Sequence, residues 1–114
     1  HPQEMAAGSE VTIVLPSTSL PLLPGAMILA EEGHLTGGCR RNRAYLQDKV
    51  VVEPSVRPGL VEIGFDPQTS GGLLIALPKA DAPRLVAELH AGGVSAATIV
   101  GHATDHQGTK VRLV

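Results

Sequence analysis

Phe65–Pro78 reads FDPQTSGGLLIALP, and its interpretation organises the rest of the chain. Asp66-Pro67 is a turn-forming pair, because proline presets φ and aspartate bonds its own backbone. Polar Gln68, Thr69 and Ser70 and the pair Gly71-Gly72 follow. Leu73–Leu77 is then apolar throughout, which predicts a central strand covered on both faces. Two readings of DPQTSGG stand side by side. It is a turn whose glycines allow close backbone approach, or a mouth where consecutive N–H groups form an anion nest, with Thr69 and Ser70 adding hydroxyl donors. No GxxxxGK[ST] or GxGxxG pattern is present in it.

Downstream, Asp81 is a good N-cap for a helix over 82–91. Ala82, Leu85, Val86 and Leu89 form its apolar stripe, and Gly92-Gly93 ends it. A strand over 97–100, a polar turn over 104–108 and a last strand over 111–114 complete the tail. Upstream, Val11–Leu15 is a short β-rich run closed by Pro16. Pro24 and Gly33 suit the start and end of a helix with Leu22, Ala26, Leu29 and Ala30 on one face. Thr36-Gly37-Gly38 reads as a loop and 40–47 as a short helix with Tyr45 and Leu46 inward. Val50–Val52 is a small strand, and 60–65 fits strand or helix equally.

With 114 residues the chain holds one domain. It is 43% apolar and 18% charged, which excludes disorder. Tyr45 and Phe65 are the only aromatics, so the stacking platforms of single-strand nucleic-acid or sugar binding are missing. A net charge of −2 offers no field for DNA or an anionic membrane. No apolar run approaches the roughly 20 residues of a membrane span. Cys39 is the single cysteine, so no internal disulfide or cysteine metal cluster forms, and a cytoplasmic setting fits. HPQEMAAGSE has neither the regions of a signal peptide nor an initiating Met, so a processed chain or fragment is expected.

The second notable stretch is GGCRRNR, Gly37–Arg43. Arginine suits bidentate phosphate contacts, although a lone cluster also fits a solvated helix face. Cys39 beside Arg40 could be reactive or an inert packing residue. His102 and His106 stand four apart around Asp105, a spacing that serves a metal only on a helix, and here the sequence reads as a turn. His34 and His90 fall near expected helix ends. No Ser/His/Asp set is readable.

PLLPGAMILAEEG, GGCRRNRAYL and FDPQTSGGLLIALP, in this order and spacing, resemble the C-terminal half of selenophosphate synthetase (selenide, water dikinase). The resemblance covers nearly the whole chain, and DPQTSGGLLI is its most specific element. HPQEM resembles the end of a family helix, which Pro2 would disturb. Cys39 stands where the family usually has Thr and is not the family's nucleophile.

The resemblance implies an α+β fold: a mixed β-sheet with packed helices, the C-terminal-domain fold of the aminoimidazole ribonucleotide synthetase superfamily, partly ferredoxin-like. Residues 1–114 would be a single truncated C-terminal domain of a two-domain enzyme that turns ATP, selenide and water into selenophosphate, AMP and phosphate. Family members are homodimers that use Mg²⁺. Their N-terminal ATP-binding half carries the nucleophilic Cys or selenocysteine, a Lys and most of the metal-binding aspartates. No catalytic residue and no metal ligand is therefore expected here, and the chain alone should be inactive and bind neither ATP nor Mg²⁺. The polar-glycine stretch would line the cleft between the halves. The ligand-facing set is Asp66, Gln68, Thr69, Ser70, Gly71 and Gly72, with Arg40, Arg41 and Asn42. A non-catalytic binding or dimerisation module of the same fold is the alternative. A thiamine monophosphate kinase branch is disfavoured by DPQTSGG.

Overall fold

The computed structural model describes residues 1–68 and 70–114. Their elements are helix α1 (Pro2–Gly8), strand β1 (Val11–Leu15), a 3-10 turn (Ser17–Ser19), α2 (Ala26–Glu31), α3 (Gly37–Leu46), β2 (Val50–Val52), α4 (Pro58–Gly64), α5 (Ala82–Ala91), β3 (His102–Asp105) and β4 (Val111–Leu113). The strands form one mixed sheet in the order β2-β4-β1-β3. β4 runs parallel to both neighbours, with Val111 opposite Ile13 on one side and Val50 on the other. β3 is antiparallel to β1, with Ala103 opposite Ile13. This α+β arrangement of a mixed sheet with packed helices is the expected fold class.

The sheet has one fully buried polar side chain, Thr12. Its hydroxyl donates to the Thr109 carbonyl at 2.6 Å and accepts from the Gln107 N–H at 2.9 Å, so both of its bonding roles are satisfied. These two bonds tie the β3–β4 connection to β1. Gly101 is required at the entrance to β3, because a Cβ there would overlap the Val14 carbonyl oxygen.

Helix placement follows from local chemistry. α1 starts at Pro2, where a proline loses no hydrogen bond, so this residue opens the helix rather than breaking it. Ala6 is its fully buried contact, against β1 and β4. Pro58 opens α4 in the same way and resolves the ambiguous 60–65 run as helix. α2 crosses α4 closely, since a Cβ on Gly59 would stand 2.9 Å from Met27 Sδ and 3.2 Å from the Met27 carbonyl oxygen. The core joins Cys39, Val56, Leu60, Val61, Phe65 and Leu113, flanked by Leu15, Leu35, Leu46 and Val52. It therefore lies between α3, α4 and the β4 end of the sheet.

Several expectations fail in the last third of the chain. Residues 73–77 are not a strand: they have no ladder partner among the described residues, Leu73 is 92% exposed and Ile75 51% exposed. The 97–100 run is likewise outside the sheet, and β3 forms instead over 102–105, where a polar turn over 104–108 was expected. An apolar run expresses a need for cover, but a strand exists only when another backbone completes its hydrogen bonds. Around 102–105 that backbone is β1. α5 spans the expected residues with Asp81 at the N-cap position, yet Asp81 makes no capping bond and no residue of the helix is fully buried. Tyr45, expected inward, is 69% exposed and carries the Lys49 ammonium 3.8 Å from its ring centre. Leu22 and Leu29, expected on the covered face of α2, are exposed.

Candidate functional site

The two sequence stretches that carried the functional reading meet in space. Thr36, read from sequence as loop, is the N-cap of α3: its Oγ1 accepts from the Cys39 N–H at 3.0 Å. The same hydroxyl donates to Asp66 Oδ1 at 3.2 Å. Six residues later Asn42 Nδ2 donates to the Phe65 carbonyl at 3.0 Å. Between these anchors Gly38 lies against Pro67, and a Cβ there would fall 2.5 Å from Pro67 Cγ. The first half of α3 thus serves as a splint for the beginning of DPQTSGG.

Behind the splint, Cys39 is fully buried, with Sγ 3.2 Å from the Glu62 carbonyl oxygen. Burial pushes its thiol pKa up, the Asp66 carboxylate adds to the rise, and Arg43 and Arg40 partly oppose it. A buried, protonated thiol is a packing group, not a nucleophile. Arg43 is committed to an ion pair with Glu62, which fastens α3 to α4.

The turn itself is internally bonded. The Gln68 N–H reaches the Asp66 carbonyl and the Gly71 N–H the Gln68 carbonyl, each at 3.0 Å. Neither Gly71 nor Gly72 has a positive φ. The two glycines also differ. A Cβ on Gly71 would press on Gln68, 3.0 Å from its carbonyl oxygen, whereas one on Gly72 would meet nothing within 4 Å. Gly71 is required by the turn, but no contact within the described chain requires Gly72.

Arg40 and Arg41 are exposed on α3, and among the described residues neither has an ion-pair partner, in contrast to Arg43, Arg57, Arg84 and Arg112. Gln68, Ser70, Gly71 and Gly72 are exposed, Asp66 and Asn42 are half-buried and bonded as above, and Thr69 lies outside the described residues. Two shallow concavities of about 440 and 430 Å³ flank α3. Arg40 lines the second, and no described residue of 66–72 lines either. The described residues of the turn and the two arginines of its anchoring helix make up an exposed platform, with Arg40 on the side of α3 away from Gly38 and Asn42.

Other candidates are accounted for within the chain. His102 and His106 lie along and just beyond β3, and four residues of extended chain separate them by about 13 Å, too far to share an ion. Among the described residues no three His, Cys, Asp or Glu side chains converge on a metal position. His90 bonds the Ala97 carbonyl at 2.8 Å, and exposed His34 stands 3.5 Å from Glu32. Sequence reasoning missed Thr36, although a Thr directly before a helical run is an N-cap signal. It also missed the Gly38–Pro67 contact, for which no local signal exists.

The chain matches known proteins over its whole length. The family described as "AIR synthase related protein, C-terminal domain" matches residues 1–114. The chain is 41% identical over 107 residues to the "Selenide, water dikinase" of Caldanaerobacter subterraneus subsp. tengcongensis, covering 94% of this chain and 31% of that protein. It is 35% identical over 114 residues to "Selenide, water dikinase 2" of Peptoclostridium acidaminophilum, 100% of this chain and 33% of that one. Over 77 residues it is 47% identical to the "Selenide, water dikinase" of Nitratidesulfovibrio vulgaris (strain DSM 19637 / Miyazaki F), 68% of this chain and 22% of that protein. The chain spans about a third or less of the length of these curated relatives. With residues 1–114 matched throughout and selenide, water dikinases as its relatives, the chain belongs to the AIR synthase related protein C-terminal domain family.

Proposed function

We propose that the chain acts as the C-terminal domain of a selenide, water dikinase, which makes selenophosphate from selenide, ATP and water. The observation that carries this reading is the platform itself. Arg40 and Arg41, without partners among the described residues, stand on the helix that splints a turn ending in Gly72, a glycine with no internal explanation. Exposed guanidinium groups and an unobstructed backbone suit the phosphates of ATP, which supplies the phosphoryl group. Gln68, Ser70, Gly71 and Gly72 are the exposed turn residues of the proposed site, and Thr69 is assigned to it by its place in the sequence. Asp66 and Asn42 belong to the same site at its inner edge. The donor set does not fit Mg²⁺, because the turn offers a single carboxylate, Asp66, and among the described residues no further acidic or His side chains converge with it. The nucleophile, the metal ligands and the opposite wall of the cleft would come from an N-terminal ATP-binding domain, in a cytoplasmic homodimer.

A second reading, an interaction module, draws on the exposed surface. The accessible area is 7691 Å², whereas a compact monomer of 11.8 kDa exposes about 5,900 Å². The excess is comparable to what one partner contributes to an obligate interface, and it equally suits the wall against an N-terminal domain.

The decisive experiment is selenophosphate formation by the full-length protein with Arg40→Ala and Arg41→Ala combined. The catalytic reading expects the KM for ATP to rise at least tenfold with the melting temperature unchanged. Wild-type kinetics in that variant would leave the interaction module as the better reading.

A further inference from the structure

Asn42 and Thr36 each direct a hydrogen-bond donor at the turn rather than at solvent. Asn42 Nδ2 holds the Phe65 carbonyl and Thr36 Oγ1 holds Asp66 Oδ1, at 3.0 and 3.2 Å. The two bonded residues are consecutive and immediately precede the Pro67–Gly72 stretch. Arg40 and Arg41 lie between Thr36 and Asn42 on the same helix. Fixing both ends of this helical segment to Phe65 and Asp66 therefore fixes the root of the turn against the helix that carries the arginines. Gly38 permits the close seating, because any larger residue would collide with Pro67.

From this we infer that Thr36 and Asn42 are positioning residues: they hold the root of the turn, Phe65 and Asp66, against the helix that carries Arg40 and Arg41, and act on a bound anion only through it. The inference rests on the ligand-facing reading of the platform given above. Preorganised groups bind without first being ordered, so loosening the splint weakens binding without removing a contact.

The test uses full-length protein carrying Thr36→Val, which keeps the shape and loses the hydroxyl, Asn42→Ala, and Thr36→Ser as the variant that retains the hydroxyl. ATP is the probe, and every assay is run well below the melting temperature of each variant. Two quantities are measured: kcat and KM for ATP, and amide hydrogen exchange of peptides covering 65–72 before ATP is added. Thr36→Val and Asn42→Ala should each raise KM about threefold to tenfold, the worth of one hydrogen bond. kcat should stay within twofold, Thr36→Ser should behave as wild type, and the Gln68 and Gly71 amides should exchange faster in the ligand-free variants. A purely structural role lowers the active fraction, hence kcat, and leaves KM in place. A raised KM with unchanged exchange overturns the inference in favour of direct ligand contact. Faster exchange with unchanged KM, or no change in either, overturns it outright. Failure of the platform reading is separately visible, as a wild-type KM in the Arg40→Ala, Arg41→Ala protein.

Discussion

Adjacent glycines in the DPQTSGG stretch do different work. Gly71 closes the turn within 3.0 Å of the Gln68 carbonyl, whereas Gly72 faces open space with an ordinary φ. Gly71→Ala should lower stability by about 1 kcal/mol as the turn shifts to relieve the contact. Gly72→Val should leave the urea midpoint within experimental error and abolish selenophosphate formation in the full-length protein. Retained activity per folded molecule in Gly72→Val would show that the site lies elsewhere. Cys39 supplies a prediction with a defined sign. Its folded pKa is raised from 9.0 by burial, with Asp66 adding to the rise. The folded state thus keeps the proton longer than the unfolded state, and the associated stability is full below about pH 9 and is lost as pH rises through the folded pKa. Urea denaturation at pH 7 and pH 10 should show a larger alkaline loss for the wild type than for Cys39→Ser, whose hydroxyl can still donate to the Glu62 carbonyl. Equal losses would show that the thiol ionises as freely folded as unfolded.

At the level of elements, the α2–α4 crossing and the α3 splint hold the site in place. α4 leads directly into Phe65 and Asp66, so a shift of α4 moves the turn as a body. Gly59 sets that crossing, with Met27 Sδ and the Met27 carbonyl both inside van der Waals distance of an added Cβ. Gly59→Val should cost about 1–3 kcal/mol through overpacking. It should also raise the KM for ATP in the full-length protein, although Gly59 lies outside the platform. Gly64→Ala is the matched comparison: its Cβ would meet only Leu113 Cδ2 at 4.0 Å, and its effect should stay within about 0.5 kcal/mol. Thermal melts of the pair measure the difference, and similar melting temperatures would mean that the crossing relaxes freely.

For the whole molecule, the dominant fact is surface. The radius of gyration is 14.4 Å, against about 13 Å for a compact chain of this length. Leu73, Leu74, Ile75, Val94 and Ile99 are all exposed, on either side of α5. Apolar area on this scale seeks cover. The isolated 114-residue chain should therefore bind an environment-sensitive dye such as ANS and self-associate in light scattering at micromolar concentration. Ile75→Lys should reduce both without lowering the cooperativity of unfolding. A dye-silent monomer would mean that the 73–77 and 97–100 runs find cover within the chain in solution.

The ends of α2 and α5 and the family resemblance were legible along the chain, because each is a local property. Pro24, Gly33, Asp81 and Gly92-Gly93 mark helix limits by what their own backbones permit, and DPQTSGG is recognisable as a word. The joining of GGCRRN to FDPQ, the commitment of Thr36 and Asn42 to the turn, and the contrast between Gly71 and Gly72 were decided only in three dimensions. So was the fate of 73–77. An apolar pattern records which side chains avoid water, while membership of a sheet depends on a second backbone at the right spacing and direction. For His102–Asp105, a polar stretch that local pattern assigns to a turn, that backbone is β1, supplied by residues about ninety positions away.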